Sequence, residues 1–98
     1  MAFRDVVLRY DVFDATADTT YELWLKRDTD PWQLFAVGPA EYVAATQDFT
    51  LQRLDEGTAY QARVRQRRAG RYRAGYEGVS PDSWPAESLL TFTTGTFP

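Results

Sequence analysis

Residues 54–60, LDEGTAY, place a leucine, a tight turn and a tyrosine directly before a run of alternating apolar and polar side chains. This order is typical of a tyrosine corner, in which the ring packs inward and the hydroxyl bonds to the backbone just upstream. The motif predicts structural roles for Leu54, Gly57 and Tyr60. It also predicts that Tyr60→Phe leaves a buried backbone acceptor unpaired.

Most of the remaining chain also alternates with a period of two, which is typical of half-buried strands separated by turn-forming residues. The runs are residues 6–11, 21–26, 49–54, 60–66 and 90–93. Only residues 39–47 have a helical composition, and they form either one short turn or an edge strand. Short strands with almost no helix predict an all-β, antiparallel two-sheet β-sandwich, built as a single domain over residues 1–98.

The motif at residues 54–60 resembles the Leu-x-Pro-Gly-Thr-x-Tyr signature of the fibronectin type III family, with Glu56 where proline is usual. Tyr21 is similar to the tyrosine that opens strand C, and Tyr10 stands where strand B usually carries a tryptophan, so the resemblance implies structural roles for both. It assigns residues 32–37 to strand C′, 49–54 to strand E, 60–66 to strand F and 88–94 to strand G.

The resemblance departs from the family at the front of the chain, because about five residues precede strand B and strand A needs more. Either the sequence is a fragment, or the protein lacks strand A and strand B has an open edge. A further interpretation is that residues 1–5 form a stub of strand A. Residues 6–12, VVLRYDV, contain no proline to block pairing. We therefore expect this edge to be completed by another chain, either a neighbouring copy or a segment of the protein on which this one sits.

The composition argues against catalysis. Cysteine, histidine and asparagine are all absent, which removes disulfides, thiolate ligands, the commonest general base and N-glycosylation acceptors. No glycine-rich phosphate loop follows a strand, the acidic residues lack calcium-loop spacing, and a small sandwich gives paired carboxylates no cleft to share. We expect no enzyme activity, no cofactor and no metal.

The net charge of −3 is unevenly distributed, because residues 61–76 hold six arginines and no acidic residue. The strand parity set by Tyr60 directs Arg63, Arg65 and Arg67 out of the sandwich. Trp24 faces out from strand C, where it can lie under an arginine as a cation–π pair. The candidate partner-binding residues are Arg63, Arg65, Arg67, Arg71, Tyr72, Arg73, Tyr76 and Trp24.

Three interpretations of this basic stripe remain open. It is a solvated sheet face whose arginines pair with Glu22 and other acidic residues, a protein-binding face, or a nucleic-acid surface on which Tyr72 and Tyr76 stack bases. The overall acidity of the chain argues against nucleic acid. The long connection over residues 69–85 is either functional or packed on its own side chains.

No run approaches the length of a membrane span, and charged residues interrupt residues 1–10, unlike a secretory signal. Isoleucine is absent and ten arginines stand against one lysine, which indicates G/C-rich coding in a bacterium or its virus. We expect a non-catalytic structural subunit of a virion, such as a phage head or tail decoration protein made in the host cytoplasm, that contacts other virion proteins or its own copies.

Two alternatives to a virion subunit remain open. One is an accessory fibronectin type III module of a secreted bacterial glycoside hydrolase or surface protein. Its location would be extracellular, and its exposed aromatic residues would bind carbohydrate. Those residues are Trp24, Trp32, Tyr72, Tyr76 and Trp84. The other alternative is a cytosolic domain that binds protein or nucleic acid.

Overall fold

The alternating runs form β-strands in a computed structural model of the chain. The structure describes residues 3–12, 14–78 and 80–95, without the side chains of Phe3 and Glu87. The strands of the described residues are β1 (Phe3–Asp11), β2 (Thr20–Arg27), β3 (Gln33–Pro39), β4 (Thr46–Asp55), β5 (Ala59–Arg68), β6 (Arg71–Tyr72) and β7 (Leu90–Thr93). Two short 3-10 helices, Pro81–Ser83 and Ala86–Ser88, lie between β6 and β7.

The strands form two antiparallel sheets. One contains β1 and β4, and the other has the order β3-β2-β5, with β6 and β7 both paired to the remaining edge of β5. The predicted all-β, antiparallel two-sheet β-sandwich is therefore confirmed.

Inward-facing residues of both sheets form the core. Leu51 of β4 and Leu23 of β2 are each 1% exposed. The ring of Phe49 contacts Tyr21 of the opposite sheet at 4.6 Å between centroids and Tyr10 of β1 at 5.9 Å. The Phe49–Tyr21 contact places β4 opposite β2. The hydrogen bond from Arg4 of β1 to Gly95 O, just after β7, places β1 on the side of the sandwich nearer to β7.

The turn before β5 is held by Tyr60. Its buried hydroxyl accepts a hydrogen bond from the Asp55 amide at 2.9 Å, and its ring stacks on Phe92 with centroids 5.6 Å apart. Gly57 has a φ of 60°, a left-handed conformation that glycine adopts without steric cost. The expected direction of the Tyr60 bond is wrong, because the backbone group that it satisfies is a donor.

The structure also differs from the sequence prediction at the ends of two strands. Residues 3–5 continue β1, so they do not form a stub of strand A. Residues 40–45 connect β3 to β4 through bends, and they form neither a helical turn nor an additional strand. Pro39 ends β3, and the Ala40 amide then donates to Thr19 O at 2.9 Å.

Candidate interaction surfaces

Arg63 and Arg65 lie on the outer face of β5, as the strand parity predicts, but they are only 7% and 8% exposed. The connection between β6 and β7 folds back over them. Arg63 donates to the carbonyl oxygens of Pro81 and Trp84, the latter at 3.0 Å. The interpretation of the basic stripe as a solvated sheet face is therefore wrong at these two positions.

Arg65 also stabilises this connection by bonding to its carbonyl groups. Its Nη1 donates to Tyr76 O at 2.9 Å and to Gly78 O at 3.0 Å. A buried carbonyl group without a partner is costly, and a charged donor satisfies it strongly. Of the two roles considered for the long connection, the geometry supports packing on its own side chains, with Tyr76 and Trp84 both buried.

Glu22 is the acidic partner of Arg65 across the β2–β5 pairing. Its Oε1 accepts from Arg65 Nε at 2.9 Å and from Trp24 Nε1 at 3.0 Å, and its Oε2 accepts from the Tyr72 hydroxyl at 2.8 Å. Burial alone would raise the pKa of Glu22, but the hydrogen bonds from Tyr72, Trp24 and Arg65 outweigh it and lower that pKa. The bond to Glu22 in turn raises the pKa of Tyr72.

Three aromatic rings surround the Arg65 guanidinium. Its Cζ lies 3.7 Å from the ring centroid of Tyr72, 4.7 Å from that of Trp84 and 6.0 Å from that of Trp24. The arginine–aromatic cluster consists of Arg65, its three rings and its acidic partner, namely Glu22, Trp24, Arg65, Tyr72 and Trp84. The expected cation–π contact of Trp24 is present, in a cluster whose Arg65 and Trp84 are buried and whose other members are half-buried.

The aromatic residues considered as sugar platforms do not form an exposed surface. Tyr76 and Trp84 are buried, and Trp24, Trp32 and Tyr72 are half-buried. Trp32 lies 5.9 Å from Arg63 Cζ, and its indole nitrogen donates to Asp82 at 2.9 Å. Their expected exposure is therefore wrong, because arginine side chains lie against their rings. Arg63 and Arg65 of β5 contact the tryptophans and Tyr72, and Arg73 contacts Tyr76.

The remaining candidate arginines lie on the β5–β6 hairpin. Arg67, Arg71 and Arg73 are exposed beside the tight turn at Ala69 and Gly70, which have φ values of 52° and 77°. The eight candidate residues thus separate into three exposed arginines, the half-buried Trp24 and Tyr72, and the buried Arg63, Arg65 and Tyr76. Only the first group forms an accessible basic surface.

The second surface is the free edge of β1, which pairs only with β4 among the described residues. The Val12 amide donates to Ala45 O at 2.9 Å, which fixes the direction of the backbone groups along the ladder. Because these directions alternate, the even-numbered residues of β1 bond to β4. Val7 and Arg9 therefore direct their N–H and C=O groups to the free edge, where the Val7 side chain is 62% exposed.

The other edges carry features that oppose strand addition. β3 ends in Pro39 and contains an extra residue, Phe35, opposite β2. β4 is bulged opposite Asp5 and has a φ of 64° at Arg53, and β7 is four residues long. Proline, bulges and short length all discourage edge pairing. β1 has nine residues and no such feature.

A cleft adjoins the free edge at the end of β1. β7 pairs with residues 59–62 of β5 and β6 with residues 67–68, so within the described part of the chain residues 63–66 pair with a strand on the β2 side alone. A cavity of about 280 Å³ lies at this gap, lined by Tyr10 and Leu90 among others. The Tyr10 hydroxyl is buried without a hydrogen-bond partner among the described residues, and burial raises its pKa.

Comparison with protein-family models, with curated proteins and with solved structures finds no match to the chain. Among the described residues, no group of three or more His, Cys, Asp or Glu side chains is arranged to hold a metal ion. The same part of the chain contains no helix with the length and apolarity to cross a membrane.

Sequence reasoning assigned Glu22 as a partner for the arginines but missed the backbone acceptors that bury Arg63 and Arg65. The carbonyls of Tyr76, Gly78 and Trp84 belong to a connection whose path has no periodic pattern. One sequence signal was available, since residues 69–85 contain two tyrosines and one tryptophan and directly follow the arginine-rich strand. Aromatic faces attract guanidinium groups, so this composition could have predicted that the rings of the connection pack against the arginines of β5.

Proposed function

We propose that this protein is a non-catalytic, fibronectin type III-like structural module that binds a protein partner by strand addition at the free edge of β1. The observation that carries the proposal is a regular nine-residue strand whose outer backbone groups have no described strand partner. Main-chain hydrogen bonds to an added strand would satisfy those groups.

The packing beside this edge supports the same proposal. Val6 and Tyr10 of β1, and Leu90 and Phe92 of β7, pack against the core but are only half-buried. A further strand beside β1 would cover them. Each side chain of this size stabilises the protein by about 1.5–3 kcal/mol when it passes from full exposure to full burial, so completing their burial contributes part of that amount.

The proposal also includes membership of the fibronectin type III family and a place in a virion. The order of the strands agrees with the positions that the resemblance assigns to strands B, C, C′, E, F and G, and the Tyr60 hydroxyl closes the expected corner. Strand addition demands little of the partner's sequence and suits a subunit repeated on a symmetric surface. We therefore propose a virion component, such as a phage head or tail decoration protein.

Amide hydrogen exchange of the isolated chain tests the open edge. The amides of Val7 and Arg9 should exchange quickly, whereas those of Leu8 and Tyr10, which face β4, should be protected in the same strand. Protection of Val7 and Arg9 in a dilute monomer would contradict the proposal. Mass spectrometry of purified virions tests the proposed virion setting, and absence of this protein from the virions would refute it. Capsid, portal or tail genes flanking its gene would support the same setting.

A further inference from the structure

We infer that the partner presents one extended segment, lying antiparallel to β1, whose outward side chains are basic, acidic, neutral and basic in order from its N-terminal end. This inference rests on the proposed function, since it describes the occupant of the same edge. The shape of the sandwich determines that the occupant is a single strand, and the charges of β1 determine the order of its side chains.

β7 lies in the opposite layer on the side of the free edge. At one end of β1, Arg4 Nε donates to Gly95 O just after β7 at 3.3 Å, and at the other end Tyr10 and Leu90 line the same cleft. The edge of a second sandwich would bring its own opposite layer into the space that β7 occupies. A lone strand has no opposite layer of its own. It would contact only the inward side chains of β7, and β7 would leave space for it beside β1.

The outward residues of β1 are acidic, neutral, basic and acidic in chain order. Asp5, Val7, Arg9 and Asp11 are all exposed and lie on one face of the strand. Arg9 uses Nε and Nη2 to bind Asp48 of β4 at 2.8 and 3.2 Å, and its Nη1 takes no part in that pair. Opposite charges directly across a strand pair stabilise it, and like charges destabilise it. The added strand therefore places an acidic residue opposite Arg9 and basic residues opposite Asp5 and Asp11.

The inward side of the added strand meets apolar surface. Its residues opposite Val6, Leu8 and Tyr10 lie over the half-buried edge of the core. The residue opposite Tyr10 lies beside the cavity of about 280 Å³, which gives space for a large side chain there. The lining is mixed, with Arg65 and Arg73 as well as Tyr10 and Leu90, so the cavity accommodates the apolar part of such a side chain beside polar groups. We infer antiparallel pairing between the added strand and β1 because antiparallel ladders are slightly more stable than parallel ones.

A synthetic peptide with the sequence Lys-Leu-Glu-Val-Thr-Val-Lys has this pattern. In order, its residues lie opposite Asp11, Tyr10, Arg9, Leu8, Val7, Val6 and Asp5. A control peptide, Lys-Leu-Lys-Val-Thr-Val-Glu, has the same composition but places like charges opposite Arg9 and Asp5. Fluorescence anisotropy of the labelled peptides on the full chain compares their affinities.

The first peptide should bind about tenfold more tightly than the control, because three favourable cross-strand pairs are replaced by one favourable and two unfavourable pairs. It should also slow exchange of the Val7 and Arg9 amides. Arg9→Glu should remove the preference between the peptides. Val7→Pro, which deletes one amide on the free edge, should abolish binding, whereas Val7→Thr retains the amide and should not.

Equal binding of both peptides, lost on Val7→Pro, would overturn the inferred charge pattern and leave strand addition standing. Absence of binding by either peptide at about 1 mM, a very weak limit, would overturn the inferred segment. Self-association of the chain that Val7→Pro abolishes would show a second copy at this edge and refute a lone strand. Exchange protection of Val7 and Arg9 in the isolated monomer would instead refute the proposed function itself.

Discussion

Replacing Arg65 by glutamate should unfold or severely destabilise the protein. Arg65 is 8% exposed and makes hydrogen bonds to the carboxylate of Glu22 and to the carbonyl oxygens of Tyr76 and Gly78. Glutamate at this position removes all three bonds, leaves Glu22 without its cation and places a second carboxylate against it. The aromatic rings around the guanidinium also lose their cation.

The size of the effect follows from the burial of the pair. Breaking a buried ion pair by removing one partner costs about 3–5 kcal/mol, because the remaining charge stays buried without compensation. A domain of this size has a free energy of unfolding of about 5–15 kcal/mol. Each kcal/mol lowers the Tm by about 4–8 °C, so we expect a fall of at least about 12 °C.

Arg67→Glu is the matched control. Arg67 lies on the same face of β5, two residues further along, but it is exposed and its only described aromatic contact is with Tyr72, 5.7 Å from the ring centroid. The control should change the free energy of unfolding by less than about 1 kcal/mol. Thermal and urea unfolding, followed by circular dichroism and tryptophan fluorescence, measure both variants. Equal unfolding midpoints for the two variants would refute the stabilising role of Arg65 in the arginine–aromatic cluster.

Other substitutions probe the same structure. Tyr60→Phe should lower the free energy of unfolding by about 1–3 kcal/mol in urea titrations, because the Asp55 amide loses its acceptor, and an unchanged midpoint would contradict the observed hydrogen bond. Gly57→Ala should cost about 1–2 kcal/mol by calorimetry, since φ is 60° there, and no loss would show that the turn relaxes. Glu22 has a lowered pKa in the folded state, so its stabilisation is complete above its ordinary value of 4.5 and is lost as the pH falls through the lowered value. Glu22→Gln should therefore show a shallower loss of stability in acid, and parallel pH profiles would exclude this contribution.

The strands could be predicted from the sequence because alternation is a local property. Leu23 and Leu25 are buried and Trp24 is outward, as a period of two requires. Residues 3–5 were missed because Arg4 and Asp5 interrupt the apolar run, although Arg4 lies beside Gly95 and Asp5 accepts a bond from the Arg53 amide. The ends of a strand depend on such partners, which lie far away in the chain.

The candidate site was predicted in part for a related reason. Parity along β5 correctly placed Arg63, Arg65 and Arg67 on one face of the sheet, but parity carries no information about what covers that face. The covering segment lies more than ten residues after Arg65 in the chain, and the two bonds from Arg65 to Tyr76 and Gly78 hold it there. The choice between an exposed and a buried arginine is therefore made by contacts of long sequence separation.

Composition and period-two alternation, with the LDEGTAY turn, determined an antiparallel sandwich, because each strand and each turn expresses preferences of neighbouring residues. Only the tertiary structure decided which outward residues are accessible. Arg65 is enclosed because carbonyl groups and aromatic rings from β2, β6 and the connection after β6 converge on one guanidinium. Arg67, two residues away, contacts Tyr72 alone among the described rings and stays exposed. The free edge of β1 is likewise a tertiary property, since a strand has an open edge only when the assembled sheet provides no neighbour.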